Sequence, residues 1–391
     1  MSAMRVFVTR RLPGRALDAL DGVCEVDVWE DDAPPPPDVL RARAAEADGL
    51  LCLLTDRIDA TLLDACPRLR VVSQMAVGVD NVDLAACAAR AIPVGSTPDV
   101  LTDATADLTL ALLLAAARRL PEGMAAVRSG EWGPWRPSWL LGLELRGARL
   151  GIVGMGRIGR AVAERAQAFG MEVVRIGRRG EPSFHADLAA CDVVSLHCPL
   201  TPETRGLIDA AALAAMKPGA LLVNTARGGV VDQDALAAAL HDGRLGAAAL
   251  DVTNPEPLPP EHPLLAAPNL IVLPHLGSAT HATRERMAQL AVENLAAGLA
   301  LEWSRHRIRS VCVAPGSIRS EGLDGYDPEL VAGWERSIPL GRLGRAEEVA
   351  SVIAFLASAG GAYITGTTIV VDGGADAWGM GEPPPPVEGG A

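Results

Sequence analysis

Three polar residues stand at the ends of apolar runs: Arg227 in VNTARGG, Glu256 in LDVTNPEPLP and His275 in LPHLGSAT. An arginine, a carboxylate and a histidine together suit reduction of a 2-keto acid. A protonated imidazole can give its proton to a carbonyl oxygen as hydride arrives at the carbon. A carboxylate can hold the imidazole and favour its charged form. A guanidinium can clamp the substrate carboxylate and polarise the carbonyl. A positioned acid of this kind contributes on the order of 10²–10⁴-fold. Read singly, each residue has a plainer reading, a structural hydrogen-bonder or a solvated loop charge, so the inference rests on the set and its spacing.

The hydride needs a carrier, and GMGRIG (154–159) is a G-x-G-x-x-G between an apolar strand, ARLGIV, and a helical stretch. That context is what gives the motif meaning. Gly154 permits the tight turn, Gly156 lets backbone approach a pyrophosphate, and Gly159 permits close helix packing. The helix N-terminus supplies oriented N–H groups for the phosphates. The next strand ends VRIGRRGEP. An acid about 20 residues beyond the motif holds the ribose 2′-hydroxyl of NAD. Here Gly177 takes that place, and Arg178 and Arg179 follow. Two guanidiniums can pair with a 2′-phosphate, so NADP(H) is expected over NAD(H), with NAD(H) still open and solvated arginines the plainer reading.

These residues must be carried by an α/β framework. Residues 4–9, 49–54, 70–75 and 92–94 are short apolar strand candidates, with helical patterns such as 14–21 and 57–65 between them. This alternation predicts a parallel sheet. The APPPP run at 33–37 reads as a stiff connector. A long helix is expected from Asp99 to Leu120 with Thr102 or Asp103 as caps, followed by EWGPWRPSWLLG (131–142), which cannot be a regular helix. A second α/β alternation begins at Arg149, with CDVVSLHCP, ALLVNTA, AAALDV and LIVLPH as further strands, and a helix from about 281 to 303 closes it.

Composition narrows the partners. The 391 residues suffice for two or three domains, and hydrophobic content of 49% supports large cores. A net charge of −13 argues against nucleic-acid or anionic-membrane partners. Seven scattered cysteines, with no C-x-x-C and no zinc-ligand spacing, predict buried thiols, no metal and a reducing compartment. MSAMRVFVTRRLPG reads as a strand and turn, not a signal peptide, and no uncharged apolar run reaches 18 residues. The cytoplasm is the expected location.

VGVDNVDL (77–84), TPDVLTDATADLTLALLLAAARRLPE (97–122), GIVGMGRIG, VNTARGGVVDQDAL, ALDVTNPEPLP and LPHLGSATHATR carry a resemblance. Residues 1–303 resemble the D-isomer-specific 2-hydroxyacid dehydrogenases, and are most similar to their glyoxylate and hydroxypyruvate reductases. The resemblance implies two Rossmann-like domains with parallel sheets. A flavodoxin-like substrate domain would span 1–98 plus 281–303, and a dinucleotide-binding domain 99–280, with the active site in the cleft between them. It implies Arg227, Glu256 and His275 as the catalytic set, and backbone N–H groups of Val77 and Gly78 on the substrate carboxylate. Ser278 joins the substrate set, and Trp139 is a candidate to line the pocket. Implied cofactor contacts are Thr105, Arg157, Ile158, Pro199, Thr204, Thr225, Asp251 and Gly277. The family is homodimeric, and the Trp-rich stretch resembles its dimer arm. The implied reaction is NADPH-dependent reduction of glyoxylate or hydroxypyruvate. Two alternatives stand: another 2-hydroxy acid such as phosphoglycerate, or a dinucleotide-sensing, corepressor-like protein.

From about Arg305 the character changes. RIRSVCVAPGSI, IPLGRLGRAEEVASVIAFLAS and YITGTTIVVDGG resemble the C-terminal part of a short-chain dehydrogenase/reductase, expected over 304–379 with strands at 308–313 and 367–374 and a helix at 346–358. That chemistry needs a Tyr-x-x-x-Lys. Leu330 and Thr367 stand four residues after Tyr326 and Tyr363, and the chain's one lysine is Lys217. A second reductase site is therefore excluded, leaving a self-association module or a fusion remnant. The Pro/Gly-rich 380–391 predicts a disordered tail.

Overall fold

The computed structural model describes residues 4–304, 309, 311–319 and 326–375; the side chains of 301–304 are not described. The expected 380–391 tail, Ile308 and Ser310 of the expected 308–313 strand, and residues 305–307, 320–325 and 376–379 of the expected 304–379 segment lie outside them. The chain divides into two compact units, residues 1–97 with 288–391, and residues 98–287.

The first unit holds β1 (Arg5–Val8), β2 (Glu25–Val28), β3 (Gly49–Cys52), β4 (Val71–Gln74) and β5 (Val94–Gly95), all parallel, in the order β2-β1-β3-β4-β5. This is the flavodoxin-like order. β3 and β4 are buried along their whole length, as apolar runs in a parallel sheet must be. β2 was not expected, because EVDV mixes charge with valine; it survives as an edge strand, where one side meets solvent. The expected helices at 14–21 and 57–65 shrink to single short turns, Ala16–Leu20 and Ala60–Asp64, the latter capped by Asp59. The proline run does not stay a connector: Pro37 opens a helix to Ala45, a position where its missing N–H costs nothing.

The second unit holds β6 (Arg149–Val153), β7 (Glu172–Ile176), β8 (Val193–Leu196), β9 (Leu221–Asn224), β10 (Ala247–Leu250) and β11 (Leu270–Val272), again all parallel, in the order β11-β10-β9-β8-β6-β7. Strand order reverses between β6 and β8, the crevice where such sheets bind ligands. The long helix expected from Asp99 to Leu120 is instead two, Thr102–Ala117 and Leu120–Ser129, with Arg119 between them at φ 53°. Pro121 is the cause, since its ring would strike the carbonyl of Ala117. That carbonyl turns away and accepts the Leu143 N–H at 2.8 Å. Neither Thr102 nor Asp103 caps the first helix; Leu101 stands at the cap without a side-chain bond. Residues 131–142 form neither helix nor strand.

The helix His281–Ser304 passes from the second unit's residues into the first's. In the C-terminal segment, β12 (Val311–Pro315) pairs in parallel with β15 (Thr367–Val371), and β13 (Ile318–Arg319) with β14 (Gly344–Arg345). The helix Ala346–Ala357 matches expectation, and Pro328–Ser337 is an unforeseen one capped by Asp327.

Candidate active site

Because the second sheet is wholly parallel, its six strands deliver their following loops to one edge. Every strand end there carries residues marked out by sequence: Gly154–Gly159 after β6, Arg178 and Arg179 after β7, Pro199 and Thr204 after β8, Thr225 and Arg227 after β9, Asp251 and Glu256 after β10, and His275, Gly277 and Ser278 after β11. The three candidate catalytic residues follow three neighbouring strands.

His275 Nδ1 lies 3.0 Å from Glu256 Oε2, with both side chains about one-third exposed or less. The other Glu256 oxygen accepts the Thr253 N–H at 2.9 Å. Burial pushes the Glu256 carboxyl up, but the His275 hydrogen bond and charge, the Thr253 bond and the Arg227 charge outweigh it. The group ends below its ordinary value. An ionised carboxylate only accepts, so Nδ1–H donates and Nε2 is the nitrogen left to face a substrate.

The loops are held by partners from far along the chain. Gln233 makes two bonds to Asn254, accepting its N–H at 2.7 Å and donating to its carbonyl at 2.6 Å, which fixes the Glu256 loop. Gly228 has no alternative, since a Cβ there would lie 2.0 Å from the Thr253 carbonyl. Asn224 donates to the Arg227 carbonyl at 2.9 Å and accepts the Ala226 N–H at 3.0 Å, shaping the turn that presents the guanidinium.

His275 has φ 57°, a left-handed conformation costing about 1–3 kcal/mol in a non-glycine residue. Asp251, 1% exposed, enforces it. Its carbonyl accepts the His275 N–H at 2.9 Å, and its carboxylate accepts Leu276 N–H at 2.6 Å and Gly277 N–H at 2.8 Å. Behind it, Thr105 donates to the Gly277 carbonyl at 3.1 Å, and the Thr109 hydroxyl meets both the Thr105 carbonyl and the Thr225 hydroxyl. Thr105, Thr225, Asp251 and Gly277, expected at the cofactor, form with Thr109 one buried polar brace under the histidine. Thr109 and Gln233 were missed, because a helical Thr or Gln carries no signal until its partner is known. Ser278 offers its carbonyl to Arg284 at 3.2 Å.

At the crevice, Gly154 has φ +93°, and a Cβ there would strike His197 and Cys198 backbone at 2.7 Å. Gly159 lets the following helix press onto the Gly154 carbonyl, 2.2 Å from where a Cβ would be. Gly156 faces open space, and the helix Arg157–Ala168 starts without a side-chain cap. These residues fit a dinucleotide pyrophosphate: open backbone at an uncapped helix start. Arg157 pairs with Asp99 at 2.5 Å, and Ile158 packs into the sheet's core. Thr204 donates to the Pro199 carbonyl at 2.6 Å, shaping the loop after β8. His197 keeps Nε2 2.8 Å from Ser195 Oγ while its buried Nδ1 has no hydrogen-bond partner among the described residues, and burial pushes its pKa down to about 4.

The strand end after β7 departs from expectation. Arg179 donates to the Gly206 carbonyl at 3.1 Å and is ion-paired with Asp209, while Glu181 folds back against Gly177. The place is not free of carboxylates.

In the first unit, Val77 and Gly78 follow β4. Gln74 donates to the Gly78 carbonyl at 2.7 Å and to Asn81 at 2.6 Å, and Asn81 donates to the Asp56 carbonyl at 2.7 Å, so this loop is pinned from beneath. Trp139 lies under the Arg136 guanidinium, 4.0 Å from ring centre to carbon; no hydrogen bond joins it to the site residues among the described residues. No cluster of three metal-ligating side chains occurs among the described residues, and no described helix is long and apolar enough to cross a membrane.

Comparison with known proteins bears directly on this arrangement. A family profile described as D-isomer specific 2-hydroxyacid dehydrogenase, NAD binding domain, matches residues 110–277. A second, described as enoyl-(acyl carrier protein) reductase, matches residues 276–376. The glyoxylate reductase of Aeropyrum pernix is 49% identical over 312 residues, 76% of this chain and 93% of that protein. The glyoxylate reductase/hydroxypyruvate reductase of Homo sapiens is 46% identical over 311 residues, 76% of this chain and 95% of that protein. The crystal structure of the TT0316 protein from Thermus thermophilus aligns with TM-score 0.71 at 55% identity, covering 76% of this chain and 97% of that one. The NADPH-dependent glyoxylate/hydroxypyruvate reductase of Sinorhizobium meliloti, solved with NADP and malonate, aligns with TM-score 0.65 at 35% identity, covering 76% and 94%.

Proposed function

The chain belongs to the D-isomer-specific 2-hydroxyacid dehydrogenases, oxidoreductases of nicotinamide dinucleotides, and on that premise we propose that it reduces glyoxylate to glycolate and hydroxypyruvate to D-glycerate with NADPH. The observation that carries the reading is the Glu256–His275 pair with Arg227 on the ends of three neighbouring strands. Bound in the crevice, the dinucleotide supplies the hydride. His275 gives the Nε2 proton to the carbonyl oxygen, and Glu256 stabilises the imidazolium while it waits. Arg227 binds the keto acid's carboxylate and draws electron density from the carbonyl. The backbone N–H groups of Val77 and Gly78, on the pinned loop after β4, are suited to binding a carboxylate. Asp251 and Thr105 keep the histidine loop in its left-handed turn. Arg178, exposed after β7, supports a 2′-phosphate and hence NADP(H), while Arg179 is engaged by Asp209; NAD(H) is a second usable cofactor. Seven cysteines outside any disulfide, five of them buried, support a reducing compartment, the cytoplasm.

We also propose a homodimer. The helix Leu120–Ser129 exposes Leu120, Met124 and Val127 along one face, and Trp132, Trp135 and Leu141 extend the exposed apolar surface beyond it. Six large exposed apolar side chains within 22 residues of sequence favour an interface here. The C-terminal segment adds nothing to the chemistry, since neither of its tyrosines has a lysine four residues on.

The test is a steady-state panel of small 2-keto acids and phosphoglycerate with each dinucleotide. Oxidation of NADPH with glyoxylate or hydroxypyruvate is the expected result. Tight NADPH binding without turnover of any member would overturn the reading in favour of a dinucleotide sensor.

A further inference from the structure

We propose that Glu181 sets the balance between the two nicotinamide dinucleotides, gripping a ribose 2′-hydroxyl and opposing a 2′-phosphate. The inference rests on the dinucleotide reading of the β6–β7 crevice and deepens it. β7 ends at Ile176, and the next position, Gly177, has no side chain. A Cβ built on Gly177 would lie 2.5 Å from Glu181 Oε2 and 3.3 Å from its Cδ. The volume a side chain at position 177 would enter is therefore filled by a carboxylate arriving from four residues on.

The turn that delivers it is specific. Glu181 N–H donates to the Arg178 carbonyl at 3.0 Å, and Gly180, at φ +91°, takes the left-handed step that reverses the chain. Gly177 N–H is held by Asp187 at 3.2 Å. A carboxylate at the end of this strand is the group that accepts hydrogen bonds from an adenosine ribose diol. Gly177 with Arg178 and Arg179 reads as an acid-free strand end, but the fold restores the acid.

The guanidiniums do not dominate the site. Arg179 is spent on Asp209 and the Gly206 carbonyl. Arg178 is exposed and makes no side-chain hydrogen bond or ion pair among the described residues, so it is the cation ready for a 2′-phosphate. Three carboxylates, Glu181, Asp187 and Asp209, stand against two arginines around this turn. A 2′-phosphate gains Arg178 and meets Glu181; a 2′-hydroxyl gains Glu181 and leaves Arg178 to solvent. Both cofactors fit, and the two side chains pull in opposite directions.

The experiment measures kcat/KM and Kd for NADPH and NADH in the full-length wild type and in Glu181→Gln, Glu181→Ala and Arg178→Ala. Loss of a charge-assisted hydrogen bond on one side and of a repulsion on the other raises the NADPH/NADH ratio roughly tenfold in both Glu181 variants. Arg178→Ala lowers it. Glu181 is exposed, so the variants fold as the wild type does. A ratio unchanged within about twofold, or equal loss with both cofactors, overturns the proposal. Because Kd reads the ratio without catalysis, a protein that binds both dinucleotides but turns over neither would sink the reductase reading and still decide the role of Glu181.

Discussion

Glu256 Oε2 accepts the Nδ1–H of His275 at 3.0 Å across 19 residues of sequence. Neither residue sits in a regular element. One is held by Gln233 through Asn254, the other by Asp251, so the pair is as well placed as its two buried supports.

Glu256→Gln keeps the shape and removes the charge. The wild-type carboxyl, held below its ordinary value of 4.5, stays ionised across neutral pH and imposes no acid limb there. The stability it contributes is present above that ordinary value and is lost only as pH falls through its lower folded value. In the glutamine variant the imidazolium loses its counter-charge. The turnover that depends on this charge is expected to be lost, with kcat falling roughly 10²-fold or more at neutral pH. A glutamine variant that turns over at the wild-type rate would contradict the role assigned to Glu256.

Asp251→Asn tests the brace. An amide can accept from one of the two N–H groups now bound, and its NH₂ faces the other donor. Leaving a buried donor unsatisfied costs about 1–3 kcal/mol. A lowered Tm is expected together with a kcat loss of roughly tenfold or more, as the His275 turn relaxes from its strained φ. A stable, fully active variant would show that the histidine holds its position unaided.

Thr105 to Gly277 and Thr109 to Thr225 show why only part of the site was legible. Arg227, Glu256, His275 and the three glycines declare themselves, because residue type and motif carry the chemistry. Thr109 and Gln233 do not, since each is an ordinary helical residue until folding brings a partner across more than twenty positions or, for Thr109, across 116. The same holds for Glu181, whose place depends on a glycine-driven reversal, and for the helix break at Arg119, where apolar periodicity outvoted the proline two residues on. The edge strand β2 hid because edge strands tolerate charge on their open side.

Met124→Glu with Val127→Glu puts two charges into the exposed stripe of the Leu120–Ser129 helix. Mass in solution should fall from a dimer to a monomer. A wild type that is already monomeric, or a variant that stays dimeric, would remove that surface from the account.

His197 gives a pH signature in stability. Its folded pKa, pushed by burial from 6.5 to about 4, means the unfolded chain takes a proton that the folded one resists. The stability tied to the neutral ring is complete above pH 6.5 and drains away as pH falls toward 4. His197→Asn should flatten this stretch of the stability profile in urea titrations. A variant as pH-sensitive as the wild type would place the acid-sensitive group elsewhere.

The most direct measurement is turnover and NADPH affinity in His275→Ala. If His275 is the proton donor, kcat falls on the order of 10²–10⁴-fold, while the Kd for NADPH, read by fluorescence titration, stays within about twofold. Turnover near the wild-type rate, or a loss in kcat matched by an equal loss in NADPH affinity, would contradict it.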